Sequence, residues 1–360
     1  MKVALLGVGQ AGGKLAEALA RYDARMEFGA VQGALAVNSA RADLQSLQLD
    51  TLLVGGDRVN GHGVGGDNEL GAEVMQADIG EVLDSLDGRV TSASEAIFVV
   101  AGLGGGTGSG GAPVLVHHLK RVYDIPVYAL GILPGRDEGS LYQYNAGRSL
   151  KTLTREADSV LLVDNDAWHN ADESVEEGFT AINDRIAERV GLLLAAGEVT
   201  EGVAESVVDS SEVINTLRAG GMAALGYASA ESSEEAGENL NTITSVTRNA
   251  LFTGTSVPGA SESKTALLVI AGEPSRISRK GVEKSRKWLE EELGTMEVRG
   301  GDFPLDSKRL AALVLLGGIE RSPRINEFFE RAKEAGKRES TEERRAAKDA
   351  LLSDEIDGLF

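Results

Sequence analysis

Apolar residues follow two rhythms along this chain. Short continuous runs at Val3–Gly7, Leu35–Val37, Leu52–Val54, Ile97–Ala101, Val127–Leu133 and Val160–Val163 have the length and content of buried strands. Between them, Gly13–Tyr22, Leu70–Leu86, Pro113–Val122 and Leu141–Arg155 are patterned as helices. Strands alternating with helices predict an α/β fold built on a doubly wound, mostly parallel sheet. Runs this apolar suit a sheet covered on both faces.

From Ser174 to Ala196 the apolar positions Val175, Phe179, Ile182, Ile186, Val190, Leu193 and Leu194 recur at helical spacing, predicting one long helix apolar enough to be central. A second, smaller α/β unit is expected beyond it. Its helices are predicted near Ser211–Ala219, Glu234–Leu251 and Ser278–Leu293, and its strands at Ala223–Ala228, Ala266–Ala271, Thr295–Val298 and Ala311–Leu316. Past Ile319 the chain turns charged and Ala-rich, with an exposed helix expected over Arg331–Asp349.

Glycine changes this picture from fold to chemistry. Gly104-Gly105-Gly106-Thr107-Gly108-Ser109-Gly110 lies between a strand and a helix. Without side chains, main-chain amides approach an anion closely, and the following helix directs its positive end at it. The hydroxyls of Thr107 and Ser109 add donors. Gly7-Val8-Gly9-Gln10-Ala11-Gly12 follows the first strand, and Gly61-His62-Gly63-Val64-Gly65-Gly66 precedes another helix. Three such loops suggest one extended anion held from several sides, and a triphosphate fits better than the two phosphates of a dinucleotide. Ordinary turns would account for single glycines but not for a seven-residue cluster.

Other chemistries fit less well. A dinucleotide site wants an acid at the end of the second strand, where Ala36-Val37-Asn38-Ser39 has none. Lys14-Leu15 lacks the Ser or Thr of a P-loop. Thr107 breaks a nucleophile elbow around Ser109. The adjacent His117 and His118 diverge on a helix and cannot chelate together. With no cysteine there is no thiolate site, so a metal is expected to be Mg²⁺ held mainly by phosphate oxygens. Asp209-Ser210-Ser211-Glu212 opens a helix, and by local physics it is first a helix cap.

The net charge of −20 repels nucleic acid and fits a high-salt cytoplasm, where screening relieves self-repulsion. No run approaches a membrane span, and the first residues resemble a strand rather than a signal peptide. A cytoplasmic protein is expected.

These motifs in this order resemble the tubulin/FtsZ superfamily, and most closely the archaeal CetZ group. The run 104–110 is similar to its signature. Gln10-Ala11-Gly12, Ala36-Val37-Asn38-Ser39 and Gly65 to Gly71 resemble its other phosphate loops. The resemblance implies GTP or GDP as ligand and head-to-tail assembly of the chain with itself. It implies nucleotide contacts from Gly9, Gln10, Ala11, Gly12, Asn38, Gly65, Gly66, Gly104, Gly105, Gly106, Thr107, Gly108, Ser109, Gly110 and Pro134. It further implies a ribose contact from Glu138, amides of Asn165 and Asn183 on guanine, and the ring of Phe179 stacked on the base.

Asp209 and Glu212 then match acids that a neighbouring subunit inserts to position or activate the water attacking the γ-phosphate. Two departures stand out: Tyr142 replaces a usual arginine, and Val207 a usual FtsZ asparagine. The implied organisation is a GTP-binding domain over 1–174, a central helix over 175–200, an activation domain over 201–320 and a charged helical tail over 321–360. A polymerising cytoskeletal GTPase acting on cell shape or motility is the leading expectation. The rivals are an FtsZ-like division-ring GTPase, and a Rossmann NAD(P)-binding oxidoreductase. An envelope or membrane adaptor is a further expected partner; the division-ring rival would carry a tail motif for such adaptors, for which Ile356-Asp357-Gly358-Leu359-Phe360 is the candidate.

Overall fold

The computed structural model describes residues 1–167, 175–197, 208–260 and 262–338, except for the side chains at 175–177, 179, 320 and 321. Among the described residues ten strands form one sheet: β1 (Val3–Val8), β2 (Val31–Asn38), β3 (Thr51–Leu53), β4 (Ala96–Gly102), β5 (Val127–Leu133), β6 (Ser159–Asp164), β7 (Met222–Glu231), β8 (Glu262–Gly272), β9 (Val298–Pro304) and β10 (Arg309–Arg321). Their order is β3-β2-β1-β4-β5-β6-β7-β10-β8-β9. The first six pair in parallel, in the doubly wound order whose switch point lies between β1 and β4. Strand β10 pairs antiparallel with both β7 and β8.

The helices are α1 (Gly9–Met26), α2 (Arg41–Gln45), α3 (Gly56–Val59), α4 (Asn68–Ala77), α5 (Ile79–Asp84), α6 (Thr107–Val122), α7 (Ser140–Glu156), α8 (Val175–Ala196), α9 (Ser210–Leu217), α10 (Leu240–Phe252) and α11 (Arg279–Leu293), followed by α12 over 323–338. They cover both faces of the sheet. Alternation along the strands divides the core in two. Ala4, Leu6 and Val8 of β1 join Val74, Leu115 and Leu150 on one face. Val3 and Leu5 join Leu19, Ile186 and Val190 on the other. The same division holds in β10, where Leu310, Ala312 and Val314 face one core and Ala311, Leu313 and Leu315 the other.

The α/β expectation holds, with four adjustments. The strands of the second unit extend the sheet of the first, a continuity the expectation did not specify, since β7 pairs in parallel with β6 through Val160↔Met222 and Leu161↔Ala223. The single helix expected over Leu70–Leu86 is two, since it breaks at Asp78 between α4 and α5. The strand expected at Thr295–Val298 runs instead over Val298–Pro304, through Gly300 and Gly301. The helix expected from Glu234 starts as a 3₁₀ turn at Ala236–Asn239 and becomes α-helical only at Leu240.

Candidate functional site

A cleft of about 460 Å³ opens at the carboxyl ends of β1 and β4, on the sheet's switch point. Of the residues expected around a nucleotide, Gly9, Gln10, Ala11, Asn38, Gly65, Gly66, Gly104, Gly105, Gly106, Thr107, Gly108, Pro134, Glu138, Asn165 and Asn183 line it. Helices α1 and α6 both begin here. Among the described residues neither has a side-chain cap or an acid in its first turn, so their amides are free for a ligand. Helix α4 differs: Asp67 caps it, accepting from the amides of Glu69 and Leu70 at 2.9 and 3.0 Å.

Side chains bind the loops to one another. Ser39 Oγ and Thr107 Oγ1 share a hydrogen bond of 2.7 Å. Asn145 Nδ2 on α7 donates to the carbonyls of Gly66 at 2.8 Å and Gly104 at 3.1 Å, joining two glycine loops. Gln10 Nε2 and Asn38 Nδ2 each donate to Asp43 at 3.0 Å. Gly135 N donates to Glu138 Oε1 at 2.7 Å and Gln143 Nε2 to the Gly135 carbonyl at 2.6 Å, shaping the opposite wall.

The glycines serve two purposes. A Cβ on Gly105 or Gly65 would meet no protein atom within 4 Å, so the space beside each is open. Gly12 and Gly110 are different. A Cβ on Gly12 would lie 2.2 Å from the Val100 carbonyl, and one on Gly110 would lie 2.0 Å from the Asn68 carbonyl. These two are close-packing positions behind the cleft and do not line it, contrary to expectation. Ser109 also turns away. It is 2% exposed, and its hydroxyl donates to the carbonyls of Gly105 and Gly106 as in an ordinary helix start. Phe179 falls outside the described side chains, and Val207 outside the described residues.

Asp209 and Glu212 lie far from this cleft. Asp209 is the exposed N-cap of α9, its carboxylate accepting from Glu212 N at 3.2 Å. The local cap reading is therefore realised. Ser210 bonds to Glu95, whose other oxygen accepts from Lys2 N at 2.7 Å. Glu95 immediately precedes β4, whose far end opens on the cleft. At a rise of about 3.3 Å per residue, the seven residues of β4 separate the two edges by roughly 20 Å. Glu212 is half-buried, and its carboxyl is raised above the ordinary glutamate value, first by burial and then by the charge of Asp209, while Arg299 opposes the shift.

Among the described residues no group of three acids or histidines could hold a metal. His117 pairs with Glu156 at 2.8 Å and His118 with Gln76 at 3.1 Å, so the two point to different partners. No helix among the described residues is long and apolar enough to cross a membrane.

Residues 2–173 match the GTPase domain of the tubulin/FtsZ family, and residues 172–334 match the C-terminal domain of tubulin-like CetZ. The tubulin-like protein CetZ2 of Haloferax volcanii is 66% identical over 360 residues, covering 100% of each chain. The chain belongs to the tubulin-like CetZ family. Among solved CetZ structures, CetZ2 from Haloferax volcanii, a GTPgS-bound protofilament, matches with a TM-score of 0.92 over 94% of this chain and 100% of that one. CetZ1 from the same organism, a GDP-bound monomer, is 48% identical and matches with a TM-score of 0.86 over 93% of this chain and 100% of that one.

Sequence reasoning missed part of this CetZ cleft. Asp43, Lys14, Ala40 and His62 line it, alongside Tyr142, which the sequence had already singled out. Asp43 carries a signal that could have been used: an acid five residues beyond Asn38, on the first turn of a short helix. Asn145 gives none, because its role depends on where α7 crosses two loops that are remote in sequence.

Proposed function

We propose that the chain binds GTP in this cleft, assembles head to tail and hydrolyses GTP in a site completed by the next copy, as a cytoskeletal polymer acting on cell shape or motility in the cytoplasm. One observation carries this reading: the cleft and the acids Asp209 and Glu212 occupy opposite edges of one sheet. A chain cannot bring its own α9 to its own cleft, whereas the α9 of a second copy stacked along the strands arrives there. Such a contact is heterologous and need not close, so it propagates.

The cleft fits a triphosphate. Uncapped amides of α1 and α6, with open space beside Gly105 and Gly65, suit closely approaching oxygens. Asn165, Asn183 and Glu138 also line the cleft; on this reading the two amides meet the base and Glu138 meets the sugar. Mg²⁺ would be held mainly by phosphate oxygens, with Asp43 as one of the cleft carboxylates available to it, and would neutralise charge developing on the phosphates. The acids of the neighbour hold water rather than phosphate, so their charge need not oppose binding. We take the four segments named above, with the same boundaries, as the working division of the chain, and an envelope adaptor as a further partner.

Mixing two variants tests the composite site. Glu212→Gln keeps the cleft and loses the acid, while Gly105→Ala with Thr107→Ala damages the cleft and keeps the acids. Each alone should release little phosphate in high salt with GTP. An equimolar mixture should regain activity, because some junctions pair a sound cleft with sound acids. No recovery, while the wild type sediments and releases phosphate with GTP but not with GDP or ATP, would place hydrolysis within one chain.

A further inference from the structure

Helix α12 reaches the cleft through one buried arginine. Arg324 is 6% exposed. Its Nη2 donates to Asp164 Oδ1 at 2.9 Å and also to Asp166 Oδ2, while its Nε donates to Asp164 Oδ2. Asp164 closes β6 and is fully buried, and Asp166 lies in the 3₁₀ turn that follows. Between these two acids stands Asn165, which is 7% exposed and part of the cleft wall. One guanidinium thus grips both neighbours of a cleft residue.

The adjoining segment after β5 is held by the same helix. Asp166 Oδ1 accepts from Arg136 N at 2.9 Å, and Arg136 Nη2 donates to Glu327 of α12 at 2.8 Å. Pro134 and Glu138, on either side of Arg136, also line the cleft. Elsewhere α12 packs on α7, where Ala332 lies so close to Gly147 that a Cβ there would come within 2.6 Å.

An asparagine amide has both a donor and an acceptor, so its presence alone does not choose between purines. Choice requires the amide to be held at one place and angle against the base edge. A bidentate grip on one neighbour and a third bond to the other supplies that rigidity. We propose that Arg324 is a positioning residue for base selection, fixing the turn that presents Asn165 and so coupling nucleotide choice to the docking of α12. The proposal rests on the nucleotide reading above, in which Asn165 faces guanine.

The test is calorimetric titration of the full chain in high salt with GDP and with ADP, read as the ratio of the two Kd values. Asn165→Ala should lower the preference for GDP by about tenfold, the worth of one good hydrogen bond. Arg324→Met should lower it comparably and add nothing to Asn165→Ala in the double variant. A merely structural arginine would weaken both ligands alike, and an unchanged ratio in Arg324→Met overturns the proposal. Asp166→Asn keeps the buried Arg324–Asp164 pair, so it reads out the same grip even where Arg324→Met does not fold. A smaller loss of preference is expected there, and no loss overturns the proposal as well. An unchanged ratio in Asn165→Ala would remove the base from Asn165, and Arg324 would have nothing to position. Failure of the wild type to bind either nucleotide would instead overturn the nucleotide reading itself.

Discussion

Single glycines separate folding from binding. Gly105→Ala adds a methyl to open space, so stability should hold or rise by about 0.5 kcal/mol through the unfolded chain. GTP affinity should fall by roughly tenfold, about 1.4 kcal/mol, as the methyl occupies the cradle. Gly110→Ala meets the Asn68 carbonyl and should cost about 3 kcal/mol or more without any ligand present. Denaturant midpoints and GTP titrations of both variants check the contrast. The run 104–110 was legible as a glycine loop between a strand and a helix, and Gly104 to Gly108 do line the cleft, but which of its members faces outward was not legible. That depends on how α6 crosses α4, which no local pattern encodes. Ser109 follows from the same cause, since a hydroxyl on a helix's first turn finds its own carbonyls before it finds a ligand.

Glu212 gives a second test at this scale. Its folded-state carboxyl is raised, so between the ordinary glutamate value and the folded value the native chain holds more protons than the unfolded one. Its contribution to stability is therefore lost as pH rises through that window. Glu212→Gln should stabilise the monomer more at neutral pH than near pH 4, and should lower hydrolysis by roughly 10²–10⁴-fold. Thermal melts at the two pH values, with phosphate release, read both effects. A gain that did not depend on pH would mean that Glu212 is not held out of its ordinary range.

The elements show where patterning succeeds and where it stops. Continuous apolar runs located β1, β4, β5 and β6 because both faces of those strands are buried. Strand β9 carries Gly300, Gly301 and Asp302 at the sheet edge, so its apolar signal is faint and its expected position was early. The junction of β6 with β7 was not legible, since two residue pairs make it across a long separation. In α9 the cap Asp209 is also the proposed catalytic acid, and substitutions pull the two roles apart. Asn caps as well as Asp, so Asp209→Asn should keep stability while lowering hydrolysis. Asp209→Ala should lose about 1 kcal/mol of stability as well. Equal hydrolysis in Asp209→Asn and wild type would leave Asp209 a cap and nothing more.

The whole molecule is set by charge and by direction. A net charge of −20 on a chain of this size repels itself and repels further copies. Raising salt from about 0.01 M to 1 M shortens the screening length from about 30 Å to about 3 Å. Melting temperature and the fraction sedimented with GTP should both rise over that range. A flat response would separate the acidic surface from any adaptation to salt.

Because the strands all point one way beneath the cleft, a row of copies assembled as proposed would have two unlike tips. One tip would show an unroofed pocket with its nucleotide uncovered, and the other acids with nothing to act on. On that proposal every row would hold one cutting site fewer than it has members. A solitary molecule would be inert, a pair would be the smallest device that turns over, and the nucleotide at the open tip would be spared until another copy lands on it.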